Sequence, residues 1–251
     1  MEPKIALVTG GSRGLGKNIA LRLASKGHDL IITYRSQKEE ADAVVSEIEK
    51  LGQKAVALQL DVAVSSTFES FISEVSKTLQ DKWHRNSFDF LVNNAGIGIH
   101  KPIELTTEED FDTLFNIQFK GVYFLTQKSI PLLADGGRIV NISTGLTRFS
   151  TPGYSAYASM KGAIEVFTRY LAKELGTRGI AANVVAPGII HTDFTKAAFS
   201  NEGMETFINS VTALGRAGQP DDIGGVVAFL CSEDGRWVNA QRIEASGGMF
   251  I

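Results

Sequence analysis

The sequence predicts an α/β fold: a doubly wound parallel sheet of about seven strands in three layers, forming one domain over residues 1–251. Short apolar runs alternate with amphipathic helical patterns along the whole chain. A glycine-rich turn joins the first run to the first helix, as a dinucleotide site requires. The chemistry-bearing residues fall where strands end, and in open sheets of this class ligands sit outside the carboxyl ends of the strands.

Composition sets the bounds. The 251 residues are 43% hydrophobic and 21% charged, enough to bury a sizeable core. Net charge is −3 with the two signs interspersed, so no basic field draws the chain to nucleic acid or to an anionic membrane. Cys231 is the only cysteine, which excludes an internal disulfide, and His28, His84, His100 and His191 show no metal-ligand spacing. Met1-Glu2-Pro3-Lys4 leads straight into an apolar strand, and no apolar run approaches the roughly 18 residues of a membrane span. The expectation is a cytoplasmic protein with no metal, acting on small molecules.

Ile5-Ala6-Leu7-Val8 is the first strand, and it ends in Thr9-Gly10-Gly11-Ser12-Arg13-Gly14-Leu15-Gly16 before a helical pattern at Ile19, Ala20, Leu23 and Ala24. The glycines let backbone N–H groups approach a pyrophosphate at the positive end of that helix. Asp29 to Tyr34 reads as a second strand, followed by Arg35-Ser36-Gln37-Lys38 and an acidic helix through Leu51. An acidic side chain at this strand end would accept from the 2′-hydroxyl of NAD. Here Tyr34, Arg35 and Ser36 occupy the region, and with Arg13 in the glycine turn two guanidiniums could clamp a 2′-phosphate. NADP(H) is therefore expected over NAD(H).

Lys54 to Leu60 gives a third strand ending at Asp61-Val62, where a carboxylate could reach the adenine amino group. A helix over Thr67 to Leu79 follows, and then Gln80 to Ser87 reads as a surface loop in which Trp83 and His84 are incidental. Phe88 to Val92 is a buried strand that stops at Asn93-Asn94-Ala95-Gly96, a wall suited to the cofactor ribose. One long helix is expected from Glu108 through Leu133, with Asn116 among apolar neighbours, where an amide needs a partner. Gly136-Gly137 opens a strand from Arg138 that ends in Ser143 and Thr144. A long helix begins near Tyr154, and Ile180 to Val185 is the next strand, leaving through the rigid turn Ala186-Pro187-Gly188-Ile189-Ile190-His191-Thr192-Asp193. Thr195 to Leu214, with a turn at Asn201-Glu202-Gly203, has the pattern of a substrate flap at about 191–215 built from short helices. Pro220 starts a last helix, and Gln241 to Ala245 is the final strand before Ser246-Gly247-Gly248.

Tyr157 and Lys161 stand four apart in Tyr154-Ser155-Ala156-Tyr157-Ala158-Ser159-Met160-Lys161, so a helix there presents phenol and ammonium on one face. Side by side, the cation is expected to favour the phenolate and lower the tyrosine pKa. The same spacing also occurs in ordinary helices with one buried aromatic and one exposed lysine.

Taken in order, these motifs resemble the short-chain dehydrogenase/reductase family, specifically its single-domain Rossmann branch of about 250 residues. Thr9 to Gly16 matches its T-G-x-x-x-G-x-G, Asn93 to Gly96 its N-N-A-G, Tyr157 with Lys161 its Y-x-x-x-K, and Pro187-Gly188 its P-G turn. The resemblance implies hydride transfer between NADP(H) and a carbonyl or its alcohol, with Tyr157 as general acid/base and Lys161 on the nicotinamide ribose. It implies that Asn116 holds a relay water and that Ile190 and Thr192 meet the nicotinamide carboxamide. The family's catalytic serine falls thirteen residues before the tyrosine, which is Thr144 here, with Ser143 the second choice. Ser246 stands where relatives often carry Asp or Asn.

Wording and length are most similar to 3-oxoacyl-carrier-protein reductases, and Arg178 could help dock an acidic carrier, although Ala134-Asp135-Gly136 is not basic. An acyl-carrier substrate and a free ketone or alcohol both stay open, and a non-catalytic NADP(H)-binding sensor is the alternative outside enzymes. Ile97, Ile99, Leu146, Tyr154 and the Phe194 to Phe207 flap are the expected pocket lining. The resemblance also implies a homotetramer whose contact faces are the helices around Phe111 to Leu133 and Tyr154 to Leu175.

Overall fold

The computed structural model describes residues 3–200 and 203–251. Met1 and Glu2, and the first two residues of the expected Asn201-Glu202-Gly203 turn, lie outside the described residues. The strands are β1 (Ile5–Val8), β2 (Asp29–Tyr34), β3 (Ala55–Gln59), β4 (Phe88–Asn93), β5 (Leu133–Ile142), β6 (Ala181–Pro187) and β7 (Arg242–Ala245). They form one parallel sheet in the order β3-β2-β1-β4-β5-β6-β7. The order reverses between β1 and β4, and that switch point opens the ligand crevice at the carboxyl edge.

The helices are α1 (Gly14–Ser25), α2 (Lys38–Lys50), α3 (Phe68–Trp83), α4 (Glu108–Phe115), α5 (Gly121–Ser129), α6 (Ser155–Glu174), α7 (Lys196–Phe199), α8 (Met204–Val211) and α9 (Pro220–Leu230). Side-chain alternation along the strands sorts the core into two layers. Ala6 and Val8 of β1 join Leu30 and Ile32 of β2 under α1, α2 and α9. Ile5, Leu7 and Ile31 point the other way, onto Phe71, Val75 and Leu79 of α3 and Leu171 of α6. Both faces being covered, the strands read as continuous apolar runs.

Three expectations require correction. The helix expected from Glu108 through Leu133 runs in unbroken helical backbone to Leu132, but not as one regular α-helix: α4 passes into a π-helical turn at Asn116–Lys120, then into α5 and a 3-10 turn at Ile130–Leu132. A Cβ at Gly121 would lie 2.2 Å from the carbonyl oxygen of Val62, so glycine is needed where α5 seats against that backbone. Next, β5 begins at Leu133 rather than Arg138, because Leu133 pairs with Phe88 and the Gly136-Gly137 irregularity is absorbed within the strand as a register shift. Finally, α3 continues through Trp83, so residues 80–83 are not loop; the Trp83 indole donates to Asp29 (2.7 Å), and His84 caps the helix in the left-handed region.

One polar seam crosses the interior. Asn93 and Asn141 face each other in the β4–β5 register, and the Asn93 amide donates to Asn141 (2.8 Å) and to Thr126 (3.0 Å). Asn141 in turn donates to Thr168 of α6 (2.9 Å). Among the described residues no helix is long and apolar enough to cross a membrane, and no group of three His, Cys, Asp or Glu side chains could hold a metal.

Candidate active site

The glycine turn is built by close packing. Gly10 has φ +65°, and a Cβ on Gly16 would lie 2.0 Å from the Gly10 carbonyl oxygen, so α1 rests directly on the turn. No side chain caps the first turn of α1, which leaves its N–H groups and the positive helix end for an anion. Ser12 and Leu15 are half-buried beside it, and Gly14, at φ +56°, has only Thr192 close to its open side. These residues fit a dinucleotide pyrophosphate, because substituents at Gly10, Gly14 and Gly16 would fill or strain the cradle.

The stretch Asn94-Ala95-Gly96 lies where it was expected, but its first task is to brace that cradle. The Asn94 side chain donates to the carbonyls of Thr9 (2.9 Å) and Gly10 (3.3 Å). The Thr9 hydroxyl accepts from the backbone N–H of Asn94 (2.9 Å) and Ala95 (3.0 Å). Thr9, the first residue of the glycine motif, thus has a bracing role that the motif alone did not assign. Gly96 lies against Gln118, whose amide donates to the Ile97 carbonyl.

At the end of β2, Arg35 and Ser36 are exposed, and the Arg35 guanidinium has no acidic partner among the described residues. Arg13 is exposed too, with Asp193 at 3.9 Å. Both guanidiniums are therefore open to solvent at this edge of the sheet. Tyr34 differs: it is buried, in the core cluster with Leu30 and Ile32. Asp61 is half-buried and accepts from the N–H of Ala63 (2.9 Å), while the Val62 carbonyl supports α5.

On α6, Tyr157 and Lys161 share a face and are both buried. The Lys161 ammonium donates to the Ile142 carbonyl (2.8 Å) and lies 5.8 Å from the centroid of the Tyr157 ring. Their pKa shifts overturn the simple expectation. Burial pushes the Tyr157 phenol up, with Tyr154 adding to the effect, and burial brings Lys161 down to about 8. Desolvation governs both shifts, so the phenol keeps its proton through the neutral range.

The two hydroxyls at the end of β5 separate clearly. Ser143 is buried and donates to Glu165 (2.7 Å), which turns it away from the crevice. Thr144 continues in extended backbone (φ −159°), and its hydroxyl accepts from the Leu146 N–H (3.3 Å), leaving its proton free to donate. Asn116 sits at the start of the π-helical turn, half-buried, with no side-chain partner among the described residues. The satisfied core amide is thus not what the structure contains.

Tyr157 lies in a small cluster with Leu114 and Met160, and Ile97, Ile99, Leu146 and Tyr154 pack on it. Phe194 joins them, its ring centroid 6.2 Å from that of Tyr157 and its edge against Gly98. His100, which the sequence left without a role, stacks obliquely on Tyr154 (4.8 Å). The rest of the expected flap points elsewhere: Phe199 stacks on His191 (3.8 Å) and Phe207 packs toward Phe250 (6.4 Å). The Pro187-Gly188 exit is tight, since a Cβ at Gly188 would lie 3.0 Å from Ser246. Beyond it Ile190 is buried and bridges to Gly218, which brings Thr192 over Gly14.

Comparison with known proteins agrees with this geometry. A family model described as enoyl-(acyl carrier protein) reductase matches residues 10–250. An uncharacterized oxidoreductase of Methylorubrum extorquens is 40% identical over 250 residues, covering 99% of this chain and 98% of that protein. A hydroxynaphthalene reductase-like protein of Metarhizium brunneum is 39% identical over 258 residues, covering 98% and 94%. The crystal structure of the angucycline C-6 ketoreductase LanV with bound NADP superposes with a TM-score of 0.93 at 35% identity, covering 98% of this chain and 95% of that one. With the parallel seven-stranded sheet and the motifs in one order along it, the chain belongs to the short-chain dehydrogenase/reductase family.

Proposed function

We propose that this protein is an NADP(H)-dependent reductase of free ketones, with a flat apolar or aromatic substrate as its best ligand. The observation that carries the reading is the burial of Tyr157 and Lys161 on one face of α6, under a wall of Tyr154, Phe194, Ile97, Ile99 and Leu146. The names of the hydroxynaphthalene reductase-like and angucycline ketoreductase relatives favour the same substrate class.

The cofactor would be held by the turn Gly10, Ser12, Arg13, Gly14, Leu15 and Gly16, by Arg35 and Ser36 at the 2′-phosphate, and by Asp61 and Val62 beside the adenine. Asn94, Ala95 and Gly96 would form its floor, and Pro187, Gly188, Ile190 and Thr192 its nicotinamide end. When bound, it supplies the hydride for the carbonyl carbon. Tyr157 gives its proton to the carbonyl oxygen, a role suited to a phenol that burial keeps protonated. Thr144 donates a hydrogen bond to the same oxygen, one that strengthens as negative charge develops there. Lys161 holds the nicotinamide ribose, and Asn116, with its side chain unpartnered, holds the water that returns a proton toward Lys161. Of the proposed substrate flap at about 191–215, Phe194 supplies the contact to Tyr157.

An acyl-carrier substrate is less well supported. Arg178 is spent on Asp135 (2.7 Å) and on the carbonyls of Ile130 and Leu133, so it has little to offer an acidic carrier. A homotetramer is the assembly we favour, since Tyr123 and Phe124 of α5 and Val166 and Tyr170 of α6 expose apolar surface beside a groove of about 390 Å³.

The test is NADPH consumption over a panel of β-tetralone, aliphatic ketones and an acyl-carrier-linked 3-oxoacyl thioester. Turnover highest on the tetralone supports the reading, and turnover of the carrier thioester alone rejects the free-ketone assignment. The pH profile gives a second check. Lys161 loses its proton as pH rises through about 8, so kcat/KM for reduction falls on that limb. Lys161→Arg, which stays charged, moves the fall to higher pH; an unmoved limb removes Lys161 as its source.

A further inference from the structure

The face of α6 that carries Tyr157 and Lys161 continues to Glu165, four residues further on. Each of the last two reaches the end of β5 at successive residues. Lys161 donates to the Ile142 carbonyl (2.8 Å), and one oxygen of Glu165 accepts from the Ser143 hydroxyl (2.7 Å). That same oxygen accepts from Arg242 Nε of β7 (2.8 Å), and Arg242 Nη2 donates to the Thr144 carbonyl (3.2 Å). Thr147, at the far end of the Gly145–Thr147 3-10 turn, has its hydroxyl 2.7 Å from Glu165 and 3.1 Å from Arg242 Nη2. The loop that presents Thr144 is therefore held at both ends by one carboxylate and one guanidinium.

The ion pair is itself fixed. Arg242 Nη1 donates to Glu244 (3.0 Å), and Arg148 grips both oxygens of Glu244 (2.7 Å each). Burial by itself would raise the Glu244 carboxyl, but hydrogen bonds from Arg148, Ser246 and Arg242 prevail and hold it at about 2. Ser246 joins this network by donating to Glu244 (2.7 Å). The Glu165 and Arg242 side chains are 15% and 24% exposed, so the pair is shielded enough for its geometry to matter.

We propose that Glu165 and Arg242 are positioning residues that set the Thr144 hydroxyl against Tyr157 by bridging α6 to the Thr144 carbonyl; this rests on the catalytic reading above. A misplacement of about 1 Å in such a donor costs on the order of a hundredfold in rate. A planar fork is needed, because one guanidinium serves the carboxylate and the carbonyl at once, and lysine offers a single point of charge.

The experiment is a double-mutant cycle with β-tetralone and NADPH. Arg242→Ala and Glu165→Gln are each expected to lower kcat about tenfold or more, while KM for NADPH stays within about twofold. Arg242→Lys is expected to recover thermal stability but not kcat. In the Thr144→Ala background, Arg242→Ala is expected to cost little further, because both act through one hydroxyl. Multiplying effects, or full recovery by Arg242→Lys, overturn the proposal. If Thr144→Ala and Tyr157→Phe both leave kcat intact, the catalytic reading fails and takes this one with it. A crystal structure of Arg242→Ala gives a check independent of substrate: Thr144 is expected to have moved relative to Tyr157, and an unmoved Thr144 overturns the proposal.

Discussion

Tyr157→Phe is expected to lower kcat for ketone reduction by about a thousandfold, within the range that a positioned general acid contributes. The change deletes one oxygen that has no protein hydrogen-bond partner among the described residues, from a ring packed with Leu114 and Met160. Stability should therefore be close to that of the parent, and NADPH should still bind, as read by thermal denaturation and fluorescence titration. The combination is what distinguishes chemistry from folding. A variant that keeps full turnover would take Tyr157 out of the mechanism, and one that loses turnover only by unfolding would make the ring structural.

Arg35→Asp is expected to weaken NADPH binding about a hundredfold, the equivalent of roughly 2.7 kcal/mol, and to spare NADH. The substitution removes a guanidinium that could pair with the 2′-phosphate and puts a carboxylate where a ribose 2′-hydroxyl can donate to it. Arg35 is exposed and has no acidic partner to lose, so the fold should tolerate the change. Arg13 gives a graded comparison because Asp193, 3.9 Å away, already draws on its charge. If the unmodified protein uses NADH at least as well as NADPH, the clamp is the wrong reading of these two arginines.

How far the sequence could be read depended on the range of each interaction. The glycine turn was legible because its constraint is local: Gly10 and Gly16 are required by backbone geometry within a few residues. The Tyr157–Lys161 pair was legible for the same reason, being one turn of one helix. The sign of their pKa shifts was not, since it depends on how deeply the whole molecule buries α6. Tyr34 looked like a site residue because it ends β2, yet it is buried in the core cluster. The need for glycine at Gly121 comes from the Val62 carbonyl, more than fifty residues earlier in the chain. Ser143 and Thr144 were left open by spacing, and Glu165, which claims Ser143, was invisible as a partner until α6 and β5 were packed together.

The facing amides of β4 and β5 have a consequence for how the sheet finds its alignment. Both strands are buried on both sides, so sliding one past the other by a residue would exchange one apolar surface for another at little cost in burial. The amides remove that degeneracy. In the native alignment the Asn93 amide donates to the Asn141 oxygen, and a slip would break that bond in an apolar interior. Because Asn93 directly precedes Asn94, which braces Gly10, the one alignment these amides permit is also the one that closes the cradle for the cofactor.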